Sequence, residues 1–155
     1  MHDRRQMLSH SAKVAAMLAA VGLVPGMAWA QSTGYNTAAF AAKTMPEVTK
    51  ALGIGTPTES KDVTLTGPDI AENGAVVPVG AATTLPGVKR LLLLVEKNPA
   101  MLAAMFDVTD AIDANISTRV KMGQSSDVYA VAVMGDGKVL FARKEVKVTL
   151  GGCGG

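Results

Sequence analysis

Between Asn115 and Met122 the chain alternates residue by residue, with Ile116, Thr118, Val120 and Met122 falling on one side and Ser117, Arg119 and Lys121 on the other. A helix would scatter those positions around its circumference, whereas the period of two in a strand gathers them on opposite faces. The segment is therefore expected to be a strand with one face buried and one wet. Such a strand needs neighbours to pair with and a second layer to cover its apolar side, which points to a layered β architecture.

Other segments repeat the pattern. Asp127 to Met134 and Lys138 to Arg143 flank Gly135-Asp136-Gly137, a glycine-bearing connection of three residues typical of a hairpin. Glu145 to Leu150 alternates again, with Val146, Val148 and Leu150 expected inward. Lys61 to Thr66, Ala75 to Val79 and Arg90 to Glu96 bring the total to about seven short strands separated by turn signals. Before them, residues 37–43 are rich in alanine, and Met45 to Leu52 reads as a short helix with Pro46 in its first turn and Gly53 as its stop. Gly55-Thr56-Pro57-Thr58 then breaks the chain. A cysteine pair is lacking, and Trp29 is the single tryptophan and precedes all of these segments. The expected fold is thus all-β, an immunoglobulin-like antiparallel β-sandwich without a disulfide, preceded by a short helical segment.

The first thirty residues obey other rules. Arg4 and Arg5 form a charged start, residues 14–24 (VAAMLAAVGLV) an apolar run, and Ala28-Trp29-Ala30 an A-x-A cleavage site, which together make an export signal. Those 11 apolar residues rise only about 16 Å as a helix, roughly half of a hydrocarbon core, so no stable membrane span is expected. The adjacent arginines resemble the twin-arginine signal for export of folded proteins, although Asp3 and Met7 stand where Ser/Thr and Phe are usual. Either the twin-arginine or the general secretory route leads to the bacterial periplasm, with a mature chain beginning near Gln31. Arg4, Arg5, Lys13 and Asp3 leave with the signal, so that 15 basic and 13 acidic residues become 12 and 12. A neutral chain without a basic cluster has little electrostatic reason to bind nucleic acid or anionic lipid. His2 and His10 lie in the signal too, which leaves a mature chain of 125 residues with no imidazole and one cysteine. Ser-His and Cys-His catalysis are excluded, as are metal sites built from several such ligands, and no cofactor is expected.

The chain therefore divides into an export signal over 1–30, a helical segment over 31–57, a sandwich domain over 58–150 and a glycine tail over 151–155. The tail is where chemistry remains. Gly151, Gly152, Gly154 and Gly155 surround Cys153 and offer no side chain to bury, so the pentapeptide is expected to be a mobile, solvent-exposed arm. Cysteine is ordinarily among the most buried residues, and an unpaired one in an oxidising compartment invites stray disulfides, so its position calls for a reason. Three residues separate Leu150 from Cys153 and reach about 10 Å when extended. None of the arm residues carries a charge that would acidify the thiol, so activation is expected from partner proteins.

Gly-Gly-Cys-Gly-Gly following the last strand of an exported sandwich domain resembles the SoxY family, the sulfur carriers of bacterial thiosulfate-oxidising Sox systems. The likeness extends to Asp69-Ile70-Ala71-Glu72-Asn73-Gly74 with Val76-Val77-Pro78-Val79, to Lys97-Asn98-Pro99, to Thr118-Arg119-Val120-Lys121-Met122-Gly123 and to Lys144-Glu145-Val146-Lys147-Val148-Thr149. The resemblance implies that Cys153 is the covalent attachment point and that the chain is a carrier rather than an enzyme. It implies a heterodimer with SoxZ, a second sandwich protein. It implies transient contacts with the haem enzyme SoxAX, which joins thiosulfate to the thiol as a cysteine S-thiosulfonate, with the hydrolase SoxB, and with SoxCD where that enzyme exists.

Other readings start from the same residues. An exported structural module could be tethered to a partner by a Cys153 disulfide, which would show as a stable dimer mass where a carrier shows sulfur adducts. The diglycine Gly154-Gly155 also ends the thiocarboxylate carriers, but those are cytoplasmic and ubiquitin-like. For an enzyme the sequence offers only Asp107, Asp110 and Asp113 at a spacing of three, acidic residues of a turn region that are expected to be solvated or capping.

Overall fold

The computed structural model describes residues 36–150. The export signal, with Arg4, Arg5, Ala28 and Ala30, and the tail, with Gly151, Gly152, Cys153, Gly154 and Gly155, lie outside the described residues.

Among the described residues two helices come first, α1 (Thr37–Ala41) and α2 (Met45–Leu52). Asn36 caps α1 by accepting from the Ala39 amide, and Thr44 caps α2 by accepting from the Glu47 amide. Pro46 sits in the first turn of α2 as expected, and Gly53 ends it with φ 65°, the left-handed conformation that favours glycine. Nine strands follow: β1 (Thr58–Glu59), β2 (Val63–Thr66), β3 (Ile70–Asn73), β4 (Val77–Thr83), β5 (Val88–Val95), β6 (Leu102–Asp107), β7 (Asn115–Val120), β8 (Ser126–Met134) and β9 (Val139–Leu150). They form two sheets. The larger has the order β1-β9-β8-β5-β6, with β3 also on β9, and the smaller has the order β2-β4-β7.

The sheets pack face to face as the sandwich that the alternation predicts. Leu91, Leu93, Val95, Val128, Ala130 and Val146 of the larger sheet meet Val77, Val79, Ala81 and Val120 of the smaller. On the opposite face of the larger sheet, Leu92, Leu94, Val131 and Val139 form a second core with Ala39, Ala42 and Val48 of the helical segment. The helices are thus a third layer. This explains why β5 reads as an unbroken Leu91-Leu92-Leu93-Leu94-Val95: it is covered on both faces, and a doubly covered strand has no reason to alternate.

The expected strands are present, with three departures. The two strands expected over 138–143 and 145–150 are one strand of 12 residues, Val139–Leu150. The even-numbered side chains of β9 from Leu140 to Val148 face the smaller sheet, whereas on the other face Val139 and Phe141 lie under the helices and Arg143, Glu145, Lys147 and Thr149 stand beyond them. The change of cover at Arg143 imitates a break in the sequence pattern. Second, β1, β3 and β6 have no counterpart among the expected strands, since two or four residues, or an alanine-rich edge, carry too little alternation. Third, Leu150 has the inward parity of Val146 and Val148 but is exposed, because β9 runs past the cover of the smaller sheet.

Candidate functional site

Cys153 lies three residues beyond the last described position, so the part of the site open to description is the root from which it departs. Two neighbours hold that root. On one edge, β8 pairs with β9 as far as Ser126 opposite Val146. Ser125 then continues the contact with its side chain: the Val148 amide donates to Ser125 Oγ at 2.8 Å, and the hydroxyl donates to the Val148 carbonyl at 3.5 Å. On the other edge, β3 pairs in parallel with the end of β9, in the register Ile70 with Lys147, Ala71 with Val148 and Asn73 with Leu150.

The four internal blocks of the sequence converge on this end. The Lys147 amide donates to the Asp69 carbonyl at 2.9 Å, and Thr149 Oγ1 donates to the Glu72 carbonyl at 3.0 Å. Lys144 Nζ reaches back to the Gly67 carbonyl at 2.7 Å and to Asp69 Oδ1 at 2.8 Å. That hydrogen bond, and then the ammonium charge, hold the Asp69 carboxyl below the ordinary aspartate range. Gly74 links the two sheets: its amide donates to the Leu150 carbonyl at 2.8 Å, and its carbonyl accepts from the Met122 amide at 2.7 Å. The strand after it, Val77 to Val79, pairs with Val120 to Thr118. Asn98 completes the set by donating from Nδ2 to the Lys121 carbonyl at 2.6 Å and accepting the Gly123 amide on Oδ1 at 3.2 Å. These blocks, far apart in the chain, form one polar lattice of main-chain and side-chain bonds around the last turn of core. Its effect is to fix Leu150, so that whatever follows starts from a defined point and direction.

The acidic trio does not form a constellation. Asp107 pairs with Arg90 across the strands β6 and β5 at 2.6 Å, whereas Asp110 and Asp113 line an open groove with Lys61, Thr64 and Asn115 at the opposite end of the sandwich. Among the described residues no group of three or more His, Cys, Asp or Glu side chains could hold a metal ion, and no helix is long and apolar enough to cross a membrane. Sequence reasoning missed Ser125 and Gly74 as holders of the root. Gly74 stands inside a block already singled out, but nothing in the sequence alone pairs Ser125 with Val148.

Comparison with known proteins gives the same outline. A family profile described as "Sulfur oxidation protein SoxY" matches residues 48–153, a stretch that ends on Cys153. The sulfur carrier protein SoxY from Chlorobium limicola f thiosulfatophilum is similar in structure with a TM-score of 0.62 and 33% sequence identity, over 70% of this chain and 97% of that one. A superoxide reductase (neelaredoxin) from Ignicoccus hospitalis is similar with a TM-score of 0.50 and 16% identity, over 56% of this chain and 79% of that one, a likeness of fold alone. No curated protein matches the chain.

Proposed function

The chain belongs to the SoxY family of sulfur oxidation proteins, and from that premise we propose that it is a periplasmic carrier which holds thiosulfate-derived sulfur on Cys153 while partner enzymes act on it. The observation that carries this reading is the fixed root: β9 is bonded on one edge as far as Val148 and on the other as far as Leu150, and a single thiol follows three residues later between glycines. A thiol on a narrow lead of about 10 Å can enter an enzyme channel that the domain itself cannot.

In the chemistry this family performs, the Cys153 thiolate and thiosulfate lose two electrons, taken up by the haem groups of SoxAX, and an S–S bond forms to give the cysteine S-thiosulfonate. Water then cleaves the terminal S–S bond in SoxB, sulfate leaves, and a persulfide remains on Cys153. SoxCD oxidises that sulfane sulfur in place where it is present. SoxZ is the expected heterodimer partner. The chain contributes presentation, and the enzymes contribute the charged groups that drive each step.

Mass spectrometry of the full mature chain after exposure to thiosulfate and oxidised SoxAX should show the thiosulfonate adduct on Cys153. Cys153→Ser should take up nothing while keeping its stability within about 0.5 kcal/mol. A stable intermolecular disulfide in place of sulfur adducts would favour the tethered-module reading instead. Delivery to the periplasm by the twin-arginine route requires that Arg4→Lys with Arg5→Lys stop export, and normal export of that double variant would leave the general secretory route.

A further inference from the structure

Among the described residues four large hydrophobic side chains are exposed, namely Ile70 at 58%, Val76 at 53%, Ile112 at 53% and Leu150 at 69%. Single exposed apolar residues need no explanation, so their distribution is what matters. Leu150 is the root residue, and its register partner Asn73 begins a tight turn in which the Asn73 carbonyl accepts the Val76 amide. Gly74, within that turn, donates to the Leu150 carbonyl, so Val76 and Leu150 flank the same point. Ile70 stands three residues back along β3 beside Lys147, on the opposite face of the sheet from Leu150, and is not part of this group. Ile112 is remote: it precedes Asn115, at the far end of β7 from Met122, about 20 Å distant.

We propose that Val76 and Leu150 form an apolar docking collar that the rim of a sulfur-processing enzyme covers whenever it takes the tail. The inference rests on the carrier reading and follows from the length of the lead. Only three residues separate Leu150 from Cys153, so an enzyme that brings its reactive centre to the thiol must approach within about 10 Å of Leu150. Whatever surrounds its channel mouth then lies against this end of the sandwich. Apolar side chains there lose water only in that encounter and are wet in the free carrier. The exposed Glu72, Lys121 and Lys147 give the collar a charged rim of mixed sign, the arrangement of a small, short-lived interface with an apolar centre. A carrier that must visit several enzymes gains from contacts of this kind, since a few buried apolar side chains secure encounter without slowing release.

The test uses the full mature chain with its heterodimer partner, loaded with thiosulfate on Cys153, and measures sulfate release by the hydrolase as carrier concentration is varied. Val76→Asp and Leu150→Ser should each raise KM about tenfold with kcat within twofold of wild type, while Ile112→Asp should leave both unchanged. The reaction of Cys153 with a small maleimide and the thermal unfolding midpoint should be the same in all four proteins, which separates docking from damage to the thiol or the fold. Unchanged KM in Val76→Asp and Leu150→Ser, with wild type processed normally, would overturn the collar and leave the carrier reading intact. Loss of a wild-type self-association in Val76→Asp without any change in KM would overturn it too, by assigning the patch to a second copy. Failure of wild type to be loaded or processed at all would instead refute the carrier reading.

Discussion

Replacing Ser125 by Ala would cut the one side-chain contact that carries β8 past the end of its main-chain pairing with β9. Pairing stops at Ser126 opposite Val146, and Ser125 Oγ then accepts the Val148 amide at 2.8 Å. The return bond to the Val148 carbonyl, at 3.5 Å, lies at the limit of hydrogen-bond distance and adds little. Losing a half-buried bond of this kind and leaving its donor unpaired costs about 1 to 2 kcal/mol. The loss should be local, since β3 still holds the other edge of residues 147–150. A change of about 1.4 kcal/mol multiplies an opening constant tenfold, so the Val148 amide should exchange with deuterium roughly ten times faster in Ser125→Ala. Amides of Val131 and Leu93 in the middle of the larger sheet should exchange as before. Residue-resolved hydrogen exchange on the folded protein reads both. An unchanged rate at Val148, or equal acceleration at Val131 and Leu93, would show that the serine does not act as the local holder of the root.

Three further expectations follow from the same structure. Gly152→Leu should slow turnover by the partner enzymes while leaving the maleimide reaction of Cys153 nearly unchanged, because only a narrow channel senses the width of the arm; equal slowing of both would mean a thiol shielded by its own domain. Gly80→Ala should destabilise the fold by about 1 to 3 kcal/mol in thermal or urea unfolding, since a Cβ there would collide with Thr66 Oγ1 and lie 2.9 Å from the Ile116 carbonyl, and a loss below about 0.5 kcal/mol would contradict that crowding. Because Lys144 depresses the Asp69 carboxyl, the stabilisation it gives is present above the ordinary aspartate value and disappears as pH falls through the lower folded-state value, so the unfolding midpoint of wild type should drop more steeply than that of Asp69→Asn below about pH 4, and parallel curves would refute it.

Much of the fold was legible because its signals are local. The alternation of β7, the apolar run of β5, the hairpin at Gly135-Asp136-Gly137 and the helix from Met45 to Leu52 all depend on residues within one turn or strand. What escaped depends on distant partners. β3 has a single buried residue, Ala71, and exists as a strand because the end of β9 offers it an edge some 77 positions further on. β6 is an edge strand whose half-buried Ala104, Met105 and Phe106 do not alternate. The exposure of Leu150 follows from where the opposite sheet stops, which no property of residues 145–150 records. For the candidate site the glycine-flanked cysteine was plain in the sequence, and so were the blocks that surround its root. That those blocks meet one another was not, because a hydrogen bond such as Asn98 to Lys121 is a fact of topology.

The pairing of β9 on both edges also decides how the carrier responds to force. On the proposed carrier reading, an enzyme that grips a passenger on Cys153 while the domain diffuses away would pull through Leu150 along the axis of β9. The bonds to β8 on one side and to β1 and β3 on the other lie across that axis, so the load is shared by all of them in shear. The same bonds pulled from the side would open one at a time, like a zipper. Traction applied at Leu150 along that axis therefore meets the strand in its strongest direction.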